Sequence, residues 1–288
     1  MNWRKIIFGI IIIICIVAIN LGVYWSVTEE ASKQPEESTV KVDTEKVVNE
    51  FKNIFDNTID YQNYSVSNVT KTDSEKELIY TKTLNNNSVD GKYEFNVSIP
   101  AINISKKNID IINEEIQNIF YSKVNSIMTG QTEISTENTL QTEEIKKINT
   151  VIYDVKYKAY VNSNILSLVI KANLKEGVSN QRTFIKTYNI NLTTYEQINI
   201  TELAEIKGLN AQTINAEIRD VIKSANAEAE NLQALGFPVY MRDENSEIYD
   251  VEKTKTLDCF LGKNQMMYII YPNGNKDNTN EMDIVLFQ

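Results

Sequence analysis

The sequence predicts an α+β fold: an N-terminal single transmembrane helix, followed by antiparallel sheet packed with two long helices. Three observations carry that expectation. Residues 6–25 form one uncharged, apolar run with the length of a bilayer span. Two later stretches, about Asn108 to Met128 and Leu209 to Leu235, repeat apolar residues at helical spacing. Elsewhere apolar and polar residues alternate in runs joined by hairpin-like turns. Strands therefore follow strands instead of alternating with helices.

Residues 6–25 read IIFGIIIIICIVAINLGVYW. At about 1.5 Å per residue they make a helix of roughly 30 Å, the thickness of a hydrocarbon core. Arg4 and Lys5 precede the run, and Glu29 and Glu30 follow it. The positive-inside bias keeps residues 1–5 in the cytoplasm and sends everything after Trp25 outside. Tyr24 and Trp25 fall at the outer interface, where aromatic belts sit. The competing reading is a cleaved signal peptide with Ile6 to Ile19 as its apolar region. Neither Ala18-Ile19-Asn20 nor Gly22-Val23-Tyr24 supplies both small residues that cleavage needs, Ser26-Val27-Thr28 is poor, and Ile14 before Cys15 does not suit a lipobox. The expectation is a single-pass protein of the cell membrane, held in the lipid bilayer through residues 6–25, with its C-terminal domain extracellular. Residues 26–43, with Pro35 and several acids, are a polar linker. Residues 44–145 and 146–288 then form a first and a second α+β region, which can pack as one unit.

Charge and missing residues narrow the function. With Arg4 and Lys5 set aside, 27 basic residues face 39 acidic ones, a formal charge of −12 outside the membrane. That disfavours nucleic acid as a partner and steers cationic partners towards the domain. The plainer reading is that the acid excess only keeps a surface domain soluble. There are 0 histidines, which removes Ser-His-Asp and Cys-His catalysis, HExxH zinc sites and histidine pH switches together. Cys15 lies in the apolar run and Cys259 stands alone outside, in an apolar context that suits a packed thiol. No cofactor motif is present, and the expectation is a protein without catalytic residues or a metal.

Several elements are justified residue by residue. Asp43 can cap a helix with Val47, Val48, Phe51, Ile54 and Phe55 on its apolar face. Glu77 to Leu84 and Lys92 to Ile104 are strand-like, joined by a loop ending in Asp90-Gly91. The strongest helix carries Ile109, Ile112, Ile116, Ile119, Phe120, Val124 and Ile127 in one stripe, and Gly130 ends it. Tyr153 to Val161 and Leu166 to Leu174 alternate on either side of an Asn162-Ser163-Asn164 turn, and Thr183 to Leu192 follows as a third strand. The second long helix turns Ile214, Ile218, Val221, Ile222 and Ala225 inward. Strands at Thr256–Leu261, Met266–Tyr271 and Met282–Phe287 close the chain.

The order of these elements resembles the extracytoplasmic region shared by RsiV-type anti-sigma factors and PdaC-type peptidoglycan deacetylases. In the first part the resemblance rests on Ser98-Ile99-Pro100-Ala101-Ile102 followed by Ile112-Asn113-Glu114-Glu115-Ile116. In the second it rests on Tyr153 to Tyr157, Ile165 to Leu168, Tyr188 to Leu192, and Thr194 to Leu203, where the family tends to write a Thr-Gly-Lys turn, an Ile-x-Leu strand and a short helix. It spans roughly residues 75–288 and implies a surface sensor or binding module for lysozyme-like or cell-wall ligands. The family often carries a Gly-Gly-Ala-His loop between the second and third strands. Here the loop is Glu176-Gly177-Val178-Ser179-Asn180, with Asn180 in place of the histidine.

Three local patterns bear on chemistry. Asn273 to Glu281 places oxygen-bearing side chains at alternate positions, as calcium loops do, but lacks the sixth-position glycine and the twelfth-position glutamate; a polar hairpin is the plain alternative. The pairs Glu143-Glu144 and Asp243-Glu244 would need a defined separation for glycosidase work. The loop Phe237 to Asp250, with Pro238, Tyr240, Arg242 and Tyr249, interleaves aromatics and charge in the manner of an interface, or is an ordinary long connection. Tyr240, Arg242, Tyr249 and Asn180 are the candidate ligand-binding residues. The functional expectation is a sensor or binding module at the bacterial cell envelope, its partner a basic protein or a cell-wall ligand. The alternative is a structural or assembly protein that binds neighbouring membrane proteins. A concave acidic face would favour the first, a flat apolar patch the second, and a cleft with paired carboxylates an enzyme.

Overall fold

The computed structural model describes residues 44–64, 69–88, 90–130, 150–254, 257–272 and 282–287. The apolar run 6–25, the linker and residues 131–149 and 273–281 lie outside them. No helix among the described residues is long and apolar enough to cross a membrane.

The chain is a mixed α+β structure with two sheets. The larger has the order β2-β3-β4-β5-β6, where β2 is Ile79–Asn87, β3 Tyr93–Ile102, β4 Val151–Asn162, β5 Ile165–Glu176 and β6 Arg182–Asn191. The short strand β1 (Ile59–Gln62) joins β4 on the same side as β3. Residues 151–155 of β4 pair with β3, and residues 159–162 pair with β1, so β1 and β3 lie end to end along one edge. The hairpins β2–β3, β4–β5 and β5–β6 are antiparallel, as expected. The pairings of β4 with β3 and β1 are parallel, which corrects the expectation of a purely antiparallel sheet. The physical reason is the helix α2 (Lys107–Met128), which lies in the chain between β3 and β4. A parallel pair needs such a crossover, whereas side-chain alternation is identical in both pairings.

Six residues of α2's stripe, Ile109, Ile112, Ile116, Phe120, Val124 and Ile127, are buried against the inner face of the sheet. The helix packs mainly on β3 and less on β4. Facing it are Val97, Ile99, Tyr153, Val155, Tyr157, Leu166, Leu168, Ile170, Tyr188 and Ile190. Asn113 anchors the start of the helix to the end of β3: its amide donates to the Ile102 carbonyl and accepts from the Ile102 N–H, both at 2.8 Å. The two fragments that carry the first part of the resemblance therefore meet in space. Gly130, with φ +70, donates to the Ile127 carbonyl and closes the helix, as its place in the sequence predicts.

The outer face is covered only in part. On β4, Ile152, Asp154, Lys156 and Lys158 remain at least partly exposed, whereas Tyr160 and Asn162 are buried. The cover comes from α1 (Thr44–Lys52) and from the second sheet, β7 (Asp258–Leu261), β8 (Met267–Pro272) and β9 (Met282–Phe287). Phe260 joins the layers: its ring stacks on Tyr268 at 4.6 Å, on Tyr160 at 6.0 Å, and lies 6.0 Å from Phe51 of α1. The helices α3 (Ile200–Ile206) and α4 (Ala211–Ala234) pack on the second sheet through Leu203, Ile214, Ile218 and Ile222 against Cys259, Met267, Ile269 and Tyr271. Asn199 and Glu202 form a capping box at the start of α3, in the stretch where the resemblance expects a short helix. The strand expected just before it is reduced to a single bridge, Ile190 to Gln197.

The edge of β7 is closed by side chains. Ser167 Oγ accepts from the Leu261 N–H (3.0 Å) and donates to Asn189 (2.6 Å), whose amide donates to the Cys259 carbonyl (2.8 Å). Thr187 Oγ1 accepts from the Cys259 N–H (3.2 Å), and Asn162 donates to the Leu261 and Gly262 carbonyls. Polar side chains of β4, β5 and β6 thus take the place of a neighbouring strand, which removes one exposed edge and satisfies buried backbone groups. Cys259 lies buried within this seam, and burial pushes its thiol up, away from reactivity.

Candidate functional site

Most of the inner face of β5 and β6 is buried with α2, but the end of the β5–β6 hairpin, around Phe184 and Arg182, is left partly open beside the helix. A cleft of about 240 Å³ forms there, lined by Ile119, Phe120 and Lys123 of α2, Tyr153, Ala172, Leu174, Arg182 and Phe184. Phe184 is 40% exposed, with its ring 5.9 Å from that of the buried Phe120. At the rim Glu176 holds Lys123 at 3.7 Å and forms an ion pair with Arg182. Burial, and then the charge of Arg182, lowers the Lys123 ammonium below its ordinary value. The Tyr153 hydroxyl donates to the Phe120 carbonyl at 3.4 Å, and burial raises its pKa.

Towards the N-terminus of α2 the cleft adjoins, at Ile119, a shallow exposed face of the helix formed by Ile111, Glu114, Glu115 and Asn118. Ile119 lines both parts. Ile111 lies off the core stripe and is 58% exposed. Glu115 accepts from the Tyr188 hydroxyl at 3.2 Å, and burial, then the charge of Glu115, raises that hydroxyl's pKa. From Ile111 to Lys123 the groove runs about 18 Å along the helix at 1.5 Å per residue. One end is acidic, the middle is apolar, and the other end carries two cations around one carboxylate.

The lining holds no serine, cysteine or histidine, and both tyrosine hydroxyls are pushed away from ionisation. Glu114 and Glu115 stand on the same wall, whereas a glycosidase pair flanks the bond it breaks. Among the described residues no group of acids and cysteines could hold a metal ion.

The residues singled out by sequence fall in different places. Asn180 is exposed on the turn between β5 and β6, two residues before Arg182 and thus near the cationic end of the groove. Tyr240 is 49% exposed on the loop after α4. Arg242 is held through its backbone, which donates to and accepts from the side chain of Asn226 at 3.0 and 2.8 Å. Tyr249 is 4% exposed, edge-on to Tyr271 at 5.9 Å, and belongs to the core around the second sheet. None of the three from the 237–250 loop lines the groove. Asp243 caps its own turn by accepting from the Asn245 N–H, and Glu244 lies 3.9 Å from Lys223. The pair Glu143-Glu144 and the proposed calcium loop lie outside the described residues. The groove residues Lys123, Glu176, Arg182 and Phe184 were not anticipated. The available signal was Ile111, an apolar residue off the helical stripe, and Phe184, an aromatic near the hairpin end of its strand that α2 touches but covers only in part.

No family model and no curated protein matches the chain. Among solved structures the chain is similar to a member of the duf3298 family from Bacteroides fragilis, with 10% sequence identity, 77% of this chain and 91% of that chain covered, and a TM-score of 0.42.

Proposed function

We propose that the protein is a non-catalytic binding module of the bacterial cell envelope, held outside the membrane by residues 6–25, whose groove along α2 takes a basic protein ligand. The observation that carries this reading is the apolar cleft beside α2 together with the exposed acidic helix face of Glu114 and Glu115 that adjoins it. The formal charge of −10 adds long-range attraction for a cation. The resemblance to the RsiV and PdaC region makes a lysozyme-like protein the ligand to try first. A second reading, an assembly surface, is favoured by the exposed Leu232, Leu235, Phe237 and Tyr240 at the end of α4. The test is capture of a basic lysozyme by the immobilised full chain and by a Glu114→Gln, Glu115→Gln variant. The groove reading expects the variant to bind about tenfold more weakly, since charge pairs at an interface contribute roughly 1–2 kcal/mol. Equal capture by both would remove the groove from the account.

A further inference from the structure

We infer that the cleft beside α2 is a pocket for a chain terminus: it takes the C-terminal residue of the ligand, with an aromatic or large apolar side chain in the cleft and the terminal carboxylate between Lys123 and Arg182. The inference rests on the binding reading above and names the part of the ligand that is held. Glu115, Ile119 and Lys123 stand four residues apart and form one row along α2. The facing row comes from β6. Its residues Phe184, Lys186 and Tyr188 pair with Ala172, Ile170 and Leu168, which turn inward to the core under α2. The two rows run in opposite directions. Glu115 meets Tyr188 at 3.2 Å, the Phe120 and Phe184 rings lie 5.9 Å apart, and Lys123 meets Arg182 across Glu176. Lys186 lies towards the Glu115 end, its ammonium 5.8 Å from the Tyr188 ring. At the other end two cations share one carboxylate, so one positive charge is left over. Lys123 stands 3.7 Å from Glu176, within ion-pair range but too long for a hydrogen bond, and among the described residues its ammonium has no hydrogen-bond partner. Arg182 already repels Lys123, and a second carboxylate between them relieves that repulsion.

The apolar part has the size of one side chain. It measures about 240 Å³, whereas a dry cavity of roughly 150 Å³ takes a benzene ring. Phe184, still 40% exposed, is the wall such an occupant would cover. A C-terminal residue carries an apolar side chain and a carboxylate on the same Cα. In an extended chain the next side chain points the other way, so an internal acid on the same face stands two residues off. The residues before the terminus lead over Ile119 towards Glu115, about 12 Å from Lys123 at 1.5 Å per residue, where a lysine or arginine fits.

The probes are the peptide acetyl-Lys-Lys-Gly-Phe with a free C-terminal carboxylate and the same peptide as its C-terminal amide, each titrated into the full chain in detergent micelles. The terminal pocket expects saturable binding of the acid and about tenfold or more weaker binding of the amide, because charge-assisted contacts to two cations are lost. Lys123→Gln should lower the affinity for the acid and leave that for the amide, so the ratio of the two shrinks while the melting temperature holds. Phe184→Ala should weaken both peptides alike and keep the ratio. Equal binding of acid and amide, or a ratio that Lys123→Gln does not change, would overturn the pocket; if both peptides still weaken in the Glu114→Gln, Glu115→Gln variant, the groove reading stays in place. Failure of the acid to bind would overturn the pocket as well. Lysozyme capture that ignores the Glu114→Gln, Glu115→Gln change, with the acid still preferred over the amide, would remove the acidic face from the account and keep the pocket.

Discussion

Asp258 is the residue whose chemistry is set most sharply by its surroundings. It lies at the start of β7, and its carboxylate accepts from the Thr187 N–H at 2.8 Å and the Thr187 hydroxyl at 2.9 Å. Burial raises its pKa above the ordinary 3.8, while Lys186 and the two Thr187 bonds pull the other way. A carboxyl whose folded-state pKa is raised favours folding most when protonated. Its contribution is greatest below the unfolded value and declines as pH climbs through the folded value. Asp258→Asn keeps an acceptor for Thr187 and removes the charge. It is expected to equal or exceed the parent in stability near pH 7, with the advantage vanishing below about pH 3.8, the unfolded value. Asp258→Ala is expected to lose about 1–3 kcal/mol, because it strands a buried N–H. Denaturant titrations at several pH values check both, and a large loss on Asp258→Asn at neutral pH would contradict the assignment. Tyr195 shows another local device. It has φ +63, and Lys106 lies 4.8 Å from its ring. Glycine is the usual solution at such a φ because it has no Cβ to clash.

The helices were legible because a period of 3.6 admits one buried face. α2 matches its stripe at six positions, and Gly130 and Asn199 punctuate as their chemistry requires. Ile116, fully buried at the centre of that stripe, is the sharpest test of this element. Ile116→Asp buries an unpaired charge and removes a core side chain, a combined loss of about 4 kcal/mol or more against a typical total of roughly 5–15. The expected result is loss of the cooperative melting transition, and an unchanged melting curve would refute the packing of α2. Strand pairing was less legible. Tyr153, Val155 and Tyr157 alternate identically whether their neighbour runs parallel or antiparallel, so the β3–α2–β4 crossover left no mark in the pattern. The seam of Asn162, Ser167, Thr187 and Asn189 was equally silent, because each looks like an ordinary polar residue until β7 is laid against it.

At the scale of the whole molecule, the candidate site arises from an offset. α2 packs mainly on β3, and the second sheet covers part of the opposite face, so the β5–β6 hairpin end around Phe184 and Arg182 keeps a partly open inner surface that no single segment encodes. Glu114 and Glu115 look like a solvated helix face in sequence, and Tyr249 looks like an interface aromatic in a loop. The former remain on an exposed helix face, which the fold places next to the apolar cleft, whereas tertiary packing makes the latter part of a core. The acid excess was legible from composition alone, but its placement beside an apolar cleft was not. The most direct test of the account is a calorimetric titration of the full chain, in detergent, with a basic lysozyme at physiological and at high salt. Exposed charges are screened within about 8 Å at physiological ionic strength and within roughly 3 Å at 1 M, whereas apolar and main-chain contacts persist. The account expects saturable binding that weakens yet survives at high salt. No binding, or binding that high salt abolishes, would contradict a built binding surface along α2.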